Sequence, residues 1–271
     1  MSGASDTHAR PTTRPTIGLV VPPAAGEVPS DAARLYGQRV RFIARGVGIA
    51  AVSPDGFDPV MDTLVERARE LRDAGAQAIS LMGTSISFYR GAAFTEELRA
   101  AMQQATGLPC TTMSHAIIAA LRALCIRRVA VATSYIGELN DRLVDYLTVS
   151  GFEVTAIEGL SITDVAQVHA VTPDTLTALS HRVMARDPSA DGVFISCGGL
   201  STLDVIPALE NNTGKPATAS SPAGFWDVMR LAGLDAASPG FGRLFESETA
   251  PARTAAAANA DTVSRARPFT V

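Results

Sequence analysis

Cysteine is scarce in this sequence. Only Cys110, Cys125 and Cys197 occur among 271 residues, with no paired spacing. That excludes a disulfide-stapled framework and a zinc cage, and it points to a reducing compartment, the cytoplasm. Histidine is equally sparse. His8, His115, His169 and His181 form no HxH or HxxxH pair, so no metal site is expected. Charge of one sign is also missing. Lys and Arg total 23 against 27 Asp and Glu, a net charge of −4, and the basic residues do not cluster. Neither nucleic acid nor a membrane surface finds an electrostatic footprint. No apolar run approaches the roughly 20 residues of a membrane-spanning helix. The first stretch, "MSGASDTHARPTTRP", lacks the apolar centre of a secretory signal and reads as a flexible leader over residues 1–14. Neither GxGxxG nor GxxxxGK[ST] is present, and no GxSxG elbow either. No cofactor is therefore expected.

Hydrophobic residues make up 46% of the chain and charged residues 18%, the balance of a globular protein. Short β-rich runs alternate with helical stretches. The runs are "TIGLVV", "AQAISLM", "LPCTTM", "RVAVAT", "FEVTAI", "GVFISC" and "KPATAS". Between them, Val60, Leu64, Ala68 and Leu71 fall on one helical face, and Gly75 ends the stretch. Leu139, Leu143 and Leu147 repeat the pattern. Alternation of this kind predicts parallel βαβ units. The strand cores are nearly all apolar, as strands covered on both faces should be. The pattern runs twice, over about Pro15–Pro109 and Met113–Pro216. The expected fold is therefore α/β: two pseudo-symmetric, Rossmann-like parallel-sheet halves with a site in the cleft between them. Residues 15–112 plus 219–247 would form the first half and 113–218 the second, with a flexible tail over 248–271. Ser221 is expected to cap the helix of "SPAGFWDVMRLAGL", with Pro222 in its first position.

Strand ends carry the candidate chemistry, because ligands of open parallel sheets bind beyond the carboxyl ends of the strands. One such end reads "VFISCGGLSTLDVIP". Cys110 and Cys125 fit buried structural thiols. Cys197 differs: Gly198 and Gly199 follow it, which permits a tight turn with exposed amides. A helix beginning near Leu200 would aim its N-terminus at the thiol and lower its pKa, while apolar surroundings would raise it. Another end, "AISLMGTSISFYRG", carries Thr84 and Ser85 behind Gly83. They are either caps of the next helix or an anion cradle. Tyr135, after "VAVATS", is either a half-exposed aromatic or a phenol donor to the same anion. Pro22 and Pro23 are either a rigid turn or an apolar wall. His115 reads as a surface or core histidine with no carboxylate beside it, and Arg90 as a surface charge.

Five blocks go further. "VVPPAAG", "SLMGTSISFYRGAAF", "ATGLPCTTMS", "SCGGLSTLDVIP" and "SSPAGFWDVMRLAG" closely resemble the arylmalonate decarboxylase family of the aspartate/glutamate racemase superfamily. The likeness spans about Thr16 to Phe245. The superfamily's racemases carry a cysteine in each of two facing clusters. Here Gly83 stands where the first would be, and only Cys197 remains, the decarboxylase pattern. The resemblance implies cofactor-independent, enantioselective decarboxylation of an aryl dicarboxylate, with no partner beyond that small molecule and a monomeric chain. It makes Cys197 the proton donor, and makes Thr84, Ser85 and Tyr135, with nearby amides, a dioxyanion hole. Pro22, Pro23, Gly198 and Gly199 would border the aryl pocket. Ile49, Val52, Val165 and Val168 would line an apolar pocket for the departing carboxylate. Two positions depart from the pattern: Phe57 where a tyrosine is expected and Val168 where a methionine is expected. Both bear on substrate scope. The alternatives are a racemase or maleate isomerase, which needs a second thiol or base opposite Cys197, and a two-lobed binding protein, which needs no thiol.

Overall fold

The computed structural model describes residues 14–37 and 39–246. The expected tail over 248–271 lies outside the described residues, as does the leader over 1–14 apart from Arg14.

Nine elements build the first repeat: β1 (Thr16–Val21), α1 (Asp31–Tyr36), β2 (Arg41–Gly46), α2 (Pro54–Phe57), α3 (Thr63–Asp73), β3 (Ala78–Leu81), α4 (Thr84–Phe88), α5 (Ala92–Thr106) and β4 (Cys110–Thr112). The second repeat comprises α6 (Met113–Ala123), β5 (Arg128–Thr133), α7 (Gly137–Val149), β6 (Glu153–Gly159), α8 (Val165–His169), α9 (Pro173–Arg186), β7 (Gly192–Ser196), α10 (Val205–Thr213) and β8 (Ala217–Ala219), and α11 (Ser220–Leu231) follows it. Each repeat forms a four-stranded parallel sheet, in the order β2-β1-β3-β4 and β6-β5-β7-β8. The orders correspond strand for strand, so β1 and β3 occupy the same central places as β5 and β7. Those four strands are buried almost throughout, which explains their unbroken Val, Ile, Leu and Ala composition.

The helices follow their apolar stripes. Leu64, Ala68 and Leu71 of α3 are buried, and Gly75 ends the stretch at φ +91°. Leu139, Leu143 and Leu147 of α7 are buried likewise. A Cβ at Gly18 would lie 3.0 Å from the Leu71 Cβ, so the missing side chain lets α3 lie close on β1. Helices α6 and α11 pack against each other, and α11 also touches β3 and β4 of one sheet and β7 and β8 of the other. A bidentate Arg34–Asp204 pair, at 2.5 and 3.0 Å, adds an exposed link between the repeats.

Three features differ from expectation. Strand β2, "RFIARG", was not foreseen, because an edge strand with exposed faces tolerates the arginines that hide it. No helix starts near Leu200. Residues 198–204 form turns, and α10 begins only at Val205. The thiol therefore does not sit at a helix N-terminus. Helix α11 begins at Ser220, two residues early, which makes Pro222 its third residue; the Ser221 hydroxyl donates to Asp31 instead of capping.

Leu71 is fully buried, whereas Val149 is exposed. Leu71→Ala should cost about 2–5 kcal/mol of unfolding free energy and Val149→Ala less than about 0.5 kcal/mol in urea titrations. Equal losses would contradict this packing.

Candidate active site

The carboxyl ends of β1, β3 and β7 open onto one cavity of about 500 Å³. Pro22 and Pro23 follow β1, and Gly83, Thr84 and Ser85 follow β3. Cys197, Gly198 and Gly199 follow β7. Ile49, Val52 and Phe57 enter from the segment after β2, and Val165, Val168 and His169 from α8. All of the sequence-derived site residues line this cavity except Tyr135. Tyr135 stands behind it at the end of β5, fully buried rather than half-exposed. Its hydroxyl accepts from Ser196 Oγ at 3.3 Å and also meets the hydroxyls of Thr84 and Ser85. Burial pushes the phenol well above its usual pKa, with the Cys197 sulfur adding to the effect. Tyr135 is thus a protonated donor.

Thr84 and Ser85 open α4, but Gly83 holds the cap position and neither hydroxyl caps the helix. The Thr84 hydroxyl donates to Met113 Sδ at 2.7 Å. A thioether is a weak acceptor, so this donor can turn to a better one at little cost. The N-cap reading is thereby set aside.

Cys197 is 7% exposed and has φ +140°, a backbone region that disfavours side chains. Its amide donates to Ser220 Oγ at 3.2 Å, and the Leu200 amide closes the turn onto the Cys197 carbonyl at 3.3 Å. Burial pushes the thiol up. Contacts with the Ser134 hydroxyl, the Gly199 amide and the Tyr135 hydroxyl oppose that without reversing it. The sulfur therefore carries its proton at neutral pH.

Close packing shapes the apolar end. A Cβ at Gly199 would lie 3.1 Å from Val168 Cγ1 and 3.2 Å from His169 Cε1. His169 Nδ1–H donates to the Gly199 carbonyl at 3.1 Å, fixing the ring against the turn. Val52 N–H donates to the Thr163 carbonyl at 2.9 Å, which ties this wall to the second repeat. Phe57 is fully buried, edge-on to Tyr89 with centroids 5.1 Å apart, so no hydroxyl enters the cavity there. A Cβ at Gly83 would meet Ile86 Cγ2 at 2.5 Å; a side chain there requires Ile86 to move.

The other end of the cavity is polar and was not foreseen. Asp31 accepts from Ser221 Oγ at 2.7 Å there, with Glu27, Ser30 and Ser201 nearby. Burial pushes the Asp31 carboxyl up against the lowering effect of Ser221 and Arg34. Met113, Ser134 and Ser220 were also missed. They act through contacts between distant segments, and no local pattern marks them. Four residues stand apart. Arg90 pairs with Asp58 at 2.7 Å on the surface. His115 does have a carboxylate beside it: Glu96, on α5, lies 2.9 Å from its Nε2. Cys110 is buried in β4 as expected, but Cys125 is exposed rather than buried, because it sits on the turn after α6; neither lines the cavity.

A family model described as Arylmalonate decarboxylase matches residues 17–245. Arylmalonate decarboxylase from Bordetella bronchiseptica is 53% identical over 233 residues, covering 86% of this chain and 97% of that one. Maleate isomerase from Nocardia farcinica is 27% identical over 248 residues, 86% of this chain and 96% of that protein. Among solved structures, a glycine-to-cysteine, cysteine-to-serine double mutant of arylmalonate decarboxylase in its liganded form superposes with a TM-score of 0.84 at 52% identity, covering 86% of this chain and 99% of that one. The unliganded arylmalonate decarboxylase gives 0.78 at 52% identity, over 85% and 98% of the two chains.

The thiol environments make a direct prediction. At pH 7, iodoacetamide should alkylate exposed Cys125 and leave buried, protonated Cys197 nearly untouched. Labelling of Cys197 should rise only as pH passes its raised pKa. Peptide mass mapping reads both sites, and equal rates at pH 7 would contradict the assigned environment.

Proposed function

The chain belongs to the arylmalonate decarboxylase family, and on that premise we propose that it removes one carboxylate from α-aryl malonates and protonates the resulting carbon from one face. Family membership makes it a carboxy-lyase. The finer reading rests on one observation above all: Cys197, Thr84 and Ser85 line one cavity, and the Tyr135 hydroxyl meets those of Thr84 and Ser85 from behind it.

A malonate carries two carboxylates on one carbon. When one leaves as carbon dioxide, its bonding pair flows into the other, which becomes an enediolate. In this reading the retained carboxylate sits on Thr84, Ser85 and Tyr135. Thr84 exchanges its bond to Met113 for one to the substrate. Tyr135, kept protonated by burial, gives a full donor in a site shielded from water. Donors of this kind are each worth about 3 kcal/mol when they meet developing charge in such a site. The departing carboxylate lies among Ile49, Val52, Val165 and Val168. These side chains offer it no hydrogen bond and so favour the neutral product. The aryl group, along Pro22, Pro23, Gly198 and Gly199, takes up further charge by conjugation. With the charge spread in this way, the reaction needs no cofactor.

Protonation then comes from Cys197. Its raised pKa supports a protonated sulfur at rest, and its place at the end of β7 presents it to one face only. Gly83 lies at the corresponding end of β3, where no acid or base is available. One proton donor on one face makes the product a single enantiomer. Phe57 and Val168, both buried at the apolar end, set how large the second α-substituent can be.

Phenylmalonate should release carbon dioxide without added cofactor. Cys197→Ala should abolish turnover, while Cys110→Ala and Cys125→Ala should retain it. Thr84→Ala and Tyr135→Phe should lower kcat by about 10²-fold, with smaller changes in KM, because the donors act on charge present only in the transition state. Full activity in Cys197→Ala would overturn the protonation step, and a pure KM effect at Thr84 and Tyr135 would overturn their role in holding the enediolate.

A further inference from the structure

Ser134 is fully buried, yet its hydroxyl has no hydrogen-bond partner among the described residues. Such groups are rare and call for an explanation. Its neighbours are committed. Thr133 Oγ1 donates to Asn140 at 2.7 Å, and the Tyr135 hydroxyl belongs to the Ser196, Thr84 and Ser85 cluster. The Ser134 carbonyl is satisfied by the Ile162 amide at 2.8 Å, which fixes the backbone where β5 ends. Thr133 pairs with Ser196 where β5 and β7 end, so the next residues, Ser134 and Cys197, lie side by side on neighbouring strands, and the spare hydroxyl is near enough to act on the sulfur.

We infer that Ser134 is a thiolate-stabilising residue: its spare hydroxyl donates to the Cys197 sulfur once the proton has gone to substrate. The inference rests on Cys197 being the proton donor. In that step the S–H bond breaks and a C–H bond forms with the electron pair of the enediolate. The former S–H pair stays on sulfur as a thiolate, later reprotonated from water. A neutral thiol asks little of its surroundings, which is why the hydroxyl has no formed bond at rest. A buried thiolate asks for donors, and three groups can answer: the Ser134 hydroxyl, the Gly199 amide and the Tyr135 hydroxyl. Tyr135 is already engaged with the retained carboxylate in that reading, and Gly199 offers one N–H. Ser134 is the donor left uncommitted. The titratable groups around the cavity are Tyr135, His169, Asp31 and Glu27, and of these only Tyr135 acts directly on the thiol. Cys110 is likewise buried, but its sulfur lies by Thr106 and the Leu108 carbonyl, outside this cluster.

The test needs no substrate, so it can fail independently of the decarboxylase reading. In a Cys110→Ala, Cys125→Ala background, Cys197 is the sole thiol. Its ionisation is followed by the pH dependence of iodoacetamide alkylation and of thiolate ultraviolet absorbance, with and without Ser134→Ala. Loss of a donor to a charged group should make the thiol about tenfold less acidic, moving both curves to higher pH. The Tm should stay level or rise, because the variant removes a buried hydroxyl that bonds nothing at rest. Superimposable titration curves would overturn the inference. So would a Ser134→Ala variant that unfolds or melts several degrees lower, since that outcome marks the hydroxyl as structural.

Discussion

Cys197 is held in a backbone conformation that side chains avoid, and the rest of the site depends on that constraint. At φ +140° the chain turns sharply as β7 ends, lifting the sulfur out of the sheet toward the carboxyl ends of the opposing strands. Ser220, at the start of α11, takes up the Cys197 amide, and Gly198 and Gly199 complete the turn. Strain of this kind persists only where the surroundings over-determine it. Here they do so from both directions along the chain: β7 lies between β5 and β8, and α11 grows directly out of β8. A residue that served packing alone would have no reason to be held this way.

Burial and hydrogen bonding divide the chemistry between two buried acids. Cys197 and Tyr135 are both pushed up by loss of solvent, so both hold protons at neutral pH. Their roles differ by position. Tyr135 meets the hydroxyls of Ser196, Thr84 and Ser85 behind the cavity and keeps its proton. Cys197 lines the cavity itself, where it can give its proton away.

Much of this was legible from sequence. The repeated alternation of apolar runs and helical stripes gave both sheets, because strands buried on both faces have little compositional freedom. The clusters after Met82 and Ser196 stood out for the same reason: polar and glycine residues at the end of an apolar run have to serve a turn or a ligand. What stayed hidden has physical causes. Strand β2 lies at an edge, where Arg41 and Arg45 cost nothing. The turn after Gly199 runs on to Asp204, and propensity does not tell such a turn from the first turn of a helix. Ser134, Ser220, Met113 and the Asp31–Ser221 pair matter only through neighbours dozens of residues away. Glu96 beside His115 is the same case on the surface, where the flanking sequence shows no acid.

The central claim is that substrate binds with its retained carboxylate on the three hydroxyls and its α-carbon facing the thiol. A crystal structure with an aryl acetate bound tests this most directly. The account predicts carboxylate oxygens within hydrogen-bond reach of Thr84, Ser85 and Tyr135, and an α-carbon presenting one face to the Cys197 sulfur. A carboxylate seated at the Asp31 and Ser221 end, or an α-carbon turned away from Cys197, would contradict it.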